Sequence, residues 1–134
     1  MAKLVLPRVH VMVLCDEVEP SPGEEDVYDL RGVRTFLRAD RFPYVHPQLY
    51  LYLQVSGHEG TASGRVVVSH AATDEAVFFQ SLDEIHFSGP LALVPANARM
   101  VDCAFPEAGL YYVQVFFGSK IVGERPLRLL TSSE

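Results

Sequence analysis

From Leu49 the chain reads Leu-Tyr-Leu-Tyr-Leu-Gln-Val, so that Leu49, Leu51, Leu53 and Val55 alternate with Tyr50, Tyr52 and Gln54. Successive side chains of a strand point to opposite faces, and the pattern predicts a strand with leucines toward a core and tyrosines outward. The same period of two runs through Val9, Val11, Val13 and Cys15, through Met100 to Phe105, and through Tyr111, Val113, Val115 and Phe117. Leu4 to Leu6 open the first of these runs, and Pro7, which cannot donate to a ladder, predicts an edge or a bend there. Three consecutive valines within Arg65 to His70 predict a strand covered on both faces. Ala76 to Gln80, Ile85 to Phe87 and Leu91 to Val94 read as short strands or extended connections.

Polar breaks separate these runs. Residues 16–26 combine acidic side chains with two prolines and a glycine, and predict an exposed loop. Val27, Leu30, Val33, Phe36 and Leu37 have a spacing that fits a helix nearly as well as a strand bulged at Gly32; strand is the reading adopted. Pro43 and Pro47 predict an irregular Arg41 to Gln48 segment, and Gly57 to Gly60 a turn. Short strands with frequent turn signals and no long amphipathic helix predict an all-β fold. The expected form is an antiparallel β-sandwich of about seven to nine strands, with residues 1–134 as a single domain.

The run Glu107-Ala108-Gly109-Leu110-Tyr111 sharpens that expectation. The glycine suits a turn before a strand, and two residues on a tyrosine can bury its ring while its hydroxyl bonds back to loop backbone. The cluster resembles the tyrosine corner of immunoglobulin-like sandwiches, usually Asp-x-Gly/Ala-x-Tyr, with Glu107 in the aspartate position and Gly109 and Tyr111 as the corner residues. Val113 stands where antibody domains carry a cysteine, and the chain has no tryptophan. An N-terminal strand, the Arg41-Phe42-Pro43 segment, the Leu-Tyr-Leu-Tyr strand and this hairpin, in that order, resemble a bacterial family of small stand-alone immunoglobulin-like proteins of unknown function. The resemblance implies an immunoglobulin-like fold and supplies no catalytic or ligand residues.

Composition narrows the functional classes. With 134 residues, 49% hydrophobic and 21% charged, the chain has the makeup of a folded protein. A net charge of −6 without any Lys/Arg cluster lacks the basic footprint that nucleic acid or an anionic membrane requires. Three apolar residues before Pro7 are too few for a signal peptide, and Val9 to Cys15 is far short of the ~18 residues of a membrane span. The expected location is the cytoplasm. Cys15 and Cys103 form no Cys-x-x-Cys pair and are expected as buried free thiols.

Catalytic motifs are missing: there is no Gly-x-Ser-x-Gly elbow, no phosphate-binding glycine loop and no His-Glu-x-x-His pair. Gly57-His58-Glu59-Gly60 holds an acid–base pair, but in a turn open to solvent. The chain is therefore read as no enzyme, with no catalytic residue, cofactor or metal. The alternative to scattered histidines is that loops gather His46, His58 and His70 with Asp40 or Asp74.

Two binding modes remain. In the first, Tyr50 and Tyr52 form an outward aromatic face for a protein partner or a second copy, because aromatic residues favour interfaces; the strand with Val66 to Val68 offers an unprotected edge for a homodimer. In the second, a small ligand or carbohydrate binds the loops around residues 40–60 through Tyr44, His46 and Tyr50. A concave pocket lined by those three would favour the second mode, and a flat aromatic face the first.

Overall fold

A computed structural model describes residues 6–132. It is all-β, with eleven strands and no helix among the described residues. They are β1 (Arg8–Pro20), β2 (Tyr28–Val33), β3 (Phe36–Ala39), β4 (Tyr44–Ser56), β5 (Gly60–Ala62), β6 (Gly64–His70), β7 (Ala76–Ser81), β8 (Ile85–Phe87), β9 (Val94–Phe105), β10 (Gly109–Phe117) and β11 (Lys120–Thr131). Four strands form one sheet in the order β2-β1-β4-β9, five form another in the order β3-β11-β10-β6-β7, and β5 pairs with β8. The count exceeds the expected range because the acidic segment and the short Gly-bounded runs also find partners. All pairings are antiparallel except β3, which runs parallel to β11.

The two larger sheets enclose a common core. Leu49, Leu51, Leu53 and Val55 of β4 face Tyr111, Val113, Val115 and Phe117 of β10 within one buried cluster, as the alternation predicts. Side chains reach across both seams between the sheets: Arg125 Nε donates to the Met12 carbonyl at 3.1 Å and Gln80 Nε2 to the Arg99 carbonyl at 3.1 Å.

Several expectations change. Of the opening Leu4 to Leu6 run, residues 4 and 5 lie outside the described residues; β1 begins directly after Pro7. Of the expected loop 16–26, residues 16–20 are instead strand, since β1 continues to Pro20 and pairs with β2 from Cys15↔Val33 to Pro20↔Tyr28, while residues 21–26 form the expected exposed turn. Alternation inside the acidic run explains this: Val18 lies opposite Leu30, while Arg31 comes within 3.5 Å of Glu17 and 3.9 Å of Glu19 across the strands. Arg41 to Gln48 is not irregular throughout; after the cis Phe42–Pro43 peptide, β4 starts at Tyr44 and passes through Pro47. Pro47 has no register partner on either side: the β4/β9 pairing passes from His46↔Cys103 to Gln48↔Val101, and β1 reaches β4 only from Tyr50 onward. Leu91 to Leu93 form a connection rather than a strand, and the next strand runs unbroken from Val94 to Phe105.

The valine strand β6 is not an edge. It lies between β10 and β7, so the homodimer edge expected at Val66 to Val68 is already occupied. Nor is it covered on both faces: Val66 and Val68 are buried inward, whereas Val67 points outward and is half-buried.

β4 also changes phase. Tyr44 pairs with Phe105 and His46 with Cys103, but the next core pair is Leu49 with Met100. Three residues instead of two separate the inward positions on both strands, with Asp102 at φ 55 in the interval. Tyr44 and His46 therefore share the side of Phe105 and Cys103, opposite to the side of Tyr50 and Tyr52.

Candidate functional site

The four residues singled out in the sequence separate into three environments. Tyr44 and His46 sit together where β1 leaves β4: the tyrosine hydroxyl and His46 Nδ1 share a hydrogen bond of 2.8 Å, and the rings lie 5.8 Å apart. Beside them Arg34 grips Asp16 through two bonds, Nε to Oδ1 at 2.8 Å and Nη2 to Oδ2 at 3.1 Å. Burial lowers the His46 pKa, with a bond to Gln48 backbone opposing and Arg34 adding to the effect. Burial raises the Tyr44 hydroxyl, against the field of Arg34. These groups satisfy one another, and the arrangement is a polar clasp.

Tyr52 lies on the outward side of its sheet yet is only 7% exposed. Its ring stands 6.0 Å from that of Tyr28, and its hydroxyl accepts from Gln54 Nε2 at 2.9 Å. Tyr28 pairs with Pro20 and Tyr52 with Val13, seven positions apart on β1, which extended strand would separate by ~23 Å. The β1/β2 ribbon must therefore curl over the sheet. Cys15, where the ribbon leaves the sheet, is fully buried, and the Tyr28–Tyr52 contact turns the expected aromatic face into a small interior.

Tyr50 is elsewhere again. It lines a crevice of about 280 Å³ with Gln80, Ser81, Asp83, Asn97 and Arg99, and a neighbouring hollow of about 260 Å³ shares Asp83 and Asn97. Neither Tyr44 nor His46 lines it. The arrangement that would have favoured a ligand at Tyr44, His46 and Tyr50 together is not formed.

The histidines do not converge. His58 packs on Phe87 with ring centroids 5.5 Å apart, and His70 packs on Tyr111 at 4.8 Å. Among the described residues no three His, Cys, Asp or Glu side chains are placed to hold a metal ion. His70 is buried, accepts from the Ala72 N–H at Nδ1, and has Nε2 3.0 Å from Glu107 Oε1, close enough for charge contact but not aligned as a hydrogen bond. Both thiols are free and buried. Burial pushes Cys103 up to about 12, and burial together with Asp16 raises Cys15, so neither is prepared as a thiolate nucleophile.

Gly109 and Tyr111 form the corner as the sequence predicts. Tyr111 is fully buried and its hydroxyl donates to the Glu107 carbonyl at 2.6 Å, while Gly109 adopts φ 143 just ahead of it.

Aromatic and arginine side chains also gather on a face that the alternation passed over, the outward face of the five-stranded sheet. Phe79 on β7 is 63% exposed and lies opposite Val67 on β6, which lies opposite Gln114 on β10. In the next row Arg65 stacks over the Phe116 ring at 4.5 Å, and on β3 Arg38 stacks over Phe36 at 5.2 Å. Tyr112 and Arg128 occupy outward positions between them. A signal was present in Val77-Phe78-Phe79, since adjacent aromatics on a strand cannot both face the core.

A protein-family model matches residues 10–130. The chain belongs to DUF6941, a family of unknown function. None of the curated proteins matches it. The DUF6941 match spans from the third residue of β1 to the last but one of β11, so every residue of the arginine and aromatic face lies within it. No helix among the described residues of this DUF6941 chain is long and apolar enough to cross a membrane.

Proposed function

We propose that this chain is a non-enzymatic binding module, an immunoglobulin-like sandwich that recognises protein through the outward face of its five-stranded sheet. The single observation that carries the reading is the 63% exposed Phe79 set in a regular sheet beside Val67 and the Arg65–Phe116 stack. Aromatic and arginine side chains are enriched among interface anchors: aromatic rings bury much area at little rotamer cost, and a guanidinium already stacked on a ring is partly held in place. Supporting the immunoglobulin-like assignment are the tyrosine corner at the start of β10 and a short β3 parallel to the last strand. Free buried thiols suit a reducing compartment such as the cytoplasm. The absence of catalysis is supported by the mutual satisfaction of the Asp16–Arg34 and Tyr44–His46 pairs and by the raised thiols.

The test is photo-crosslinking with a benzophenone amino acid in place of Phe79, compared with the same group at Leu91, which is 96% exposed in the β8–β9 connection. A discrete adduct at position 79 only is the expected result; equal labelling at both positions, or none, overturns the reading. A second reading, a small polar ligand or carbohydrate, is favoured by the Tyr50 crevice with Gln80, Asp83, Asn97 and Arg99. Chemical-shift changes at Tyr50 and Asn97 upon titration with a set of saccharides would select it.

A further inference from the structure

Two opposite surfaces of this chain carry charge of opposite sign. Seven of its 17 acidic residues fall between Asp16 and Asp29, a stretch with no lysine or arginine. That stretch is the β1/β2 ribbon, whose tip exposes Glu24, Glu25 and Asp26. Asp16 is held by Arg34, and Arg31 lies between Glu17 and Glu19, so the tip is the least compensated part. On the outward face of the five-stranded sheet the sign reverses. Its strands place Arg38, Arg65 and Arg128 outward against the single acid Glu124, three positive charges to one negative, on a chain whose total is −6. Glu124 is itself bonded by Gln114 Nε2 at 2.9 Å.

These surfaces cannot meet within one molecule, because the ribbon curls over the outward side of the four-stranded sheet while the arginines face away from the five-stranded one. Between molecules they are complementary. We propose that the acidic tip of the β1/β2 ribbon of one copy docks on the arginine and aromatic face of a second copy, a head-to-tail contact. The arginines pair with the carboxylates of Glu24, Glu25 and Asp26, and Phe79 covers the apolar part of the ribbon tip at exposed Val27. Such a contact uses two different patches and leaves one of each open on every dimer, so it repeats into chains unless the rotation closes a ring. This rests on the preceding reading of that face as a protein-binding surface and names its occupant.

Sedimentation velocity on the full chain tests it. At low salt, species larger than a monomer are expected, and raising the ionic strength weakens their association by at least ~10-fold as exposed charges are screened. Arg65→Glu with Arg128→Glu removes the face, and Glu24→Lys with Glu25→Lys removes the tip; each variant alone sediments as a monomer with wild-type far-ultraviolet dichroism. An equimolar mixture of Arg65→Gln/Arg128→Gln with the tip variant retains one intact face and one intact tip, and stops at a dimer. Should the charge-reversed face variant fail to fold, the neutral Gln pair serves in both experiments. A wild-type monomer at every low-salt concentration overturns the head-to-tail contact, as does association that persists in both variants. The photo-crosslink at position 79 reads the face separately: an adduct to a different protein from a monomeric chain keeps the binding surface and removes the second copy from it.

Discussion

The Asp16 carboxylate fills the space in which any residue other than glycine at position 32 would carry its Cβ. Gly32 also stands at φ 68, a conformation that side chains with a Cβ adopt at a cost of about 1 kcal/mol or more. Two constraints thus meet at one residue, and both serve the Asp16–Arg34 clasp that fixes where the ribbon leaves the sheet. Gly32→Ala is expected to destabilise the fold by about 2 kcal/mol in urea unfolding. In an Asp16→Ala background the carboxylate is gone and only the tight Cβ contact at 3.1 Å remains, so the same substitution should cost closer to about 1 kcal/mol, mostly the conformational part. Equal costs in both backgrounds would show that the carboxylate is not the obstacle.

The corner at Tyr111 separates two contributions of one side chain. Its ring is fully buried against Phe105, 5.0 Å away, while its hydroxyl makes the 2.6 Å bond to the Glu107 carbonyl. Tyr111→Phe keeps the ring, and Glu107 is exposed enough for water to replace the lost donor, so the expected loss is about 1 kcal/mol. Tyr111→Ala also opens a cavity and is expected to cost about 3–5 kcal/mol. A denaturant midpoint for each variant, at unchanged slope, checks the ratio.

His46 predicts a pH dependence. Its folded pKa is lowered from 6.5, chiefly by burial, so the folded state binds the proton less readily than the unfolded chain. The stability that goes with the neutral ring is present above 6.5 and is lost as pH falls through the lowered folded value. Stability measured in urea should therefore decline between pH 7 and pH 5, and decline less in His46→Gln. An identical decline in the variant would assign the acid sensitivity to other groups.

How much of this was legible depended on whether local pattern and distant neighbours agreed. Alternation located β4, β10 and their inward residues, and Gly109 with Tyr111 announced the corner, because strand period and turn conformation are properties of adjacent residues. Inward and outward were less secure where a strand changes phase: nothing local in Tyr44-Val45-His46-Pro47 says that Asp102, on the paired strand, takes a positive φ opposite it. The acidic run 16–26 was read as loop from its charges and prolines, yet its strand character depends on Arg31 and Leu30 across the ribbon. For β6, three valines gave the strand but not its neighbours, and whether a strand is an edge is a matter of topology alone. Phe79 was visible as one of two adjacent aromatics, but only the register with Val67 shows which of them points outward.

The ribbon also decides what the two outward tyrosines are worth. Alternation places Tyr50 and Tyr52 alike, and an exposed pair would tolerate replacement equally. In the fold Tyr52 is roofed by Tyr28 and bonded by Gln54, whereas Tyr50 borders an open crevice. Tyr52→Ser should therefore cost about 2–3 kcal/mol in urea unfolding, since it removes a buried ring and the surface on which the ribbon rests. Tyr50→Ser should stay within about 1 kcal/mol. A second readout distinguishes loss of ring packing from release of the ribbon: in Tyr52→Ser, thiol reagents should reach the fully buried Cys15 faster than in the wild type, because Cys15 pairs with both Val33 of the ribbon and Tyr50 of β4. Equal thiol accessibility in both chains would mean that the ribbon holds its place by the Asp16–Arg34 clasp without the tyrosines.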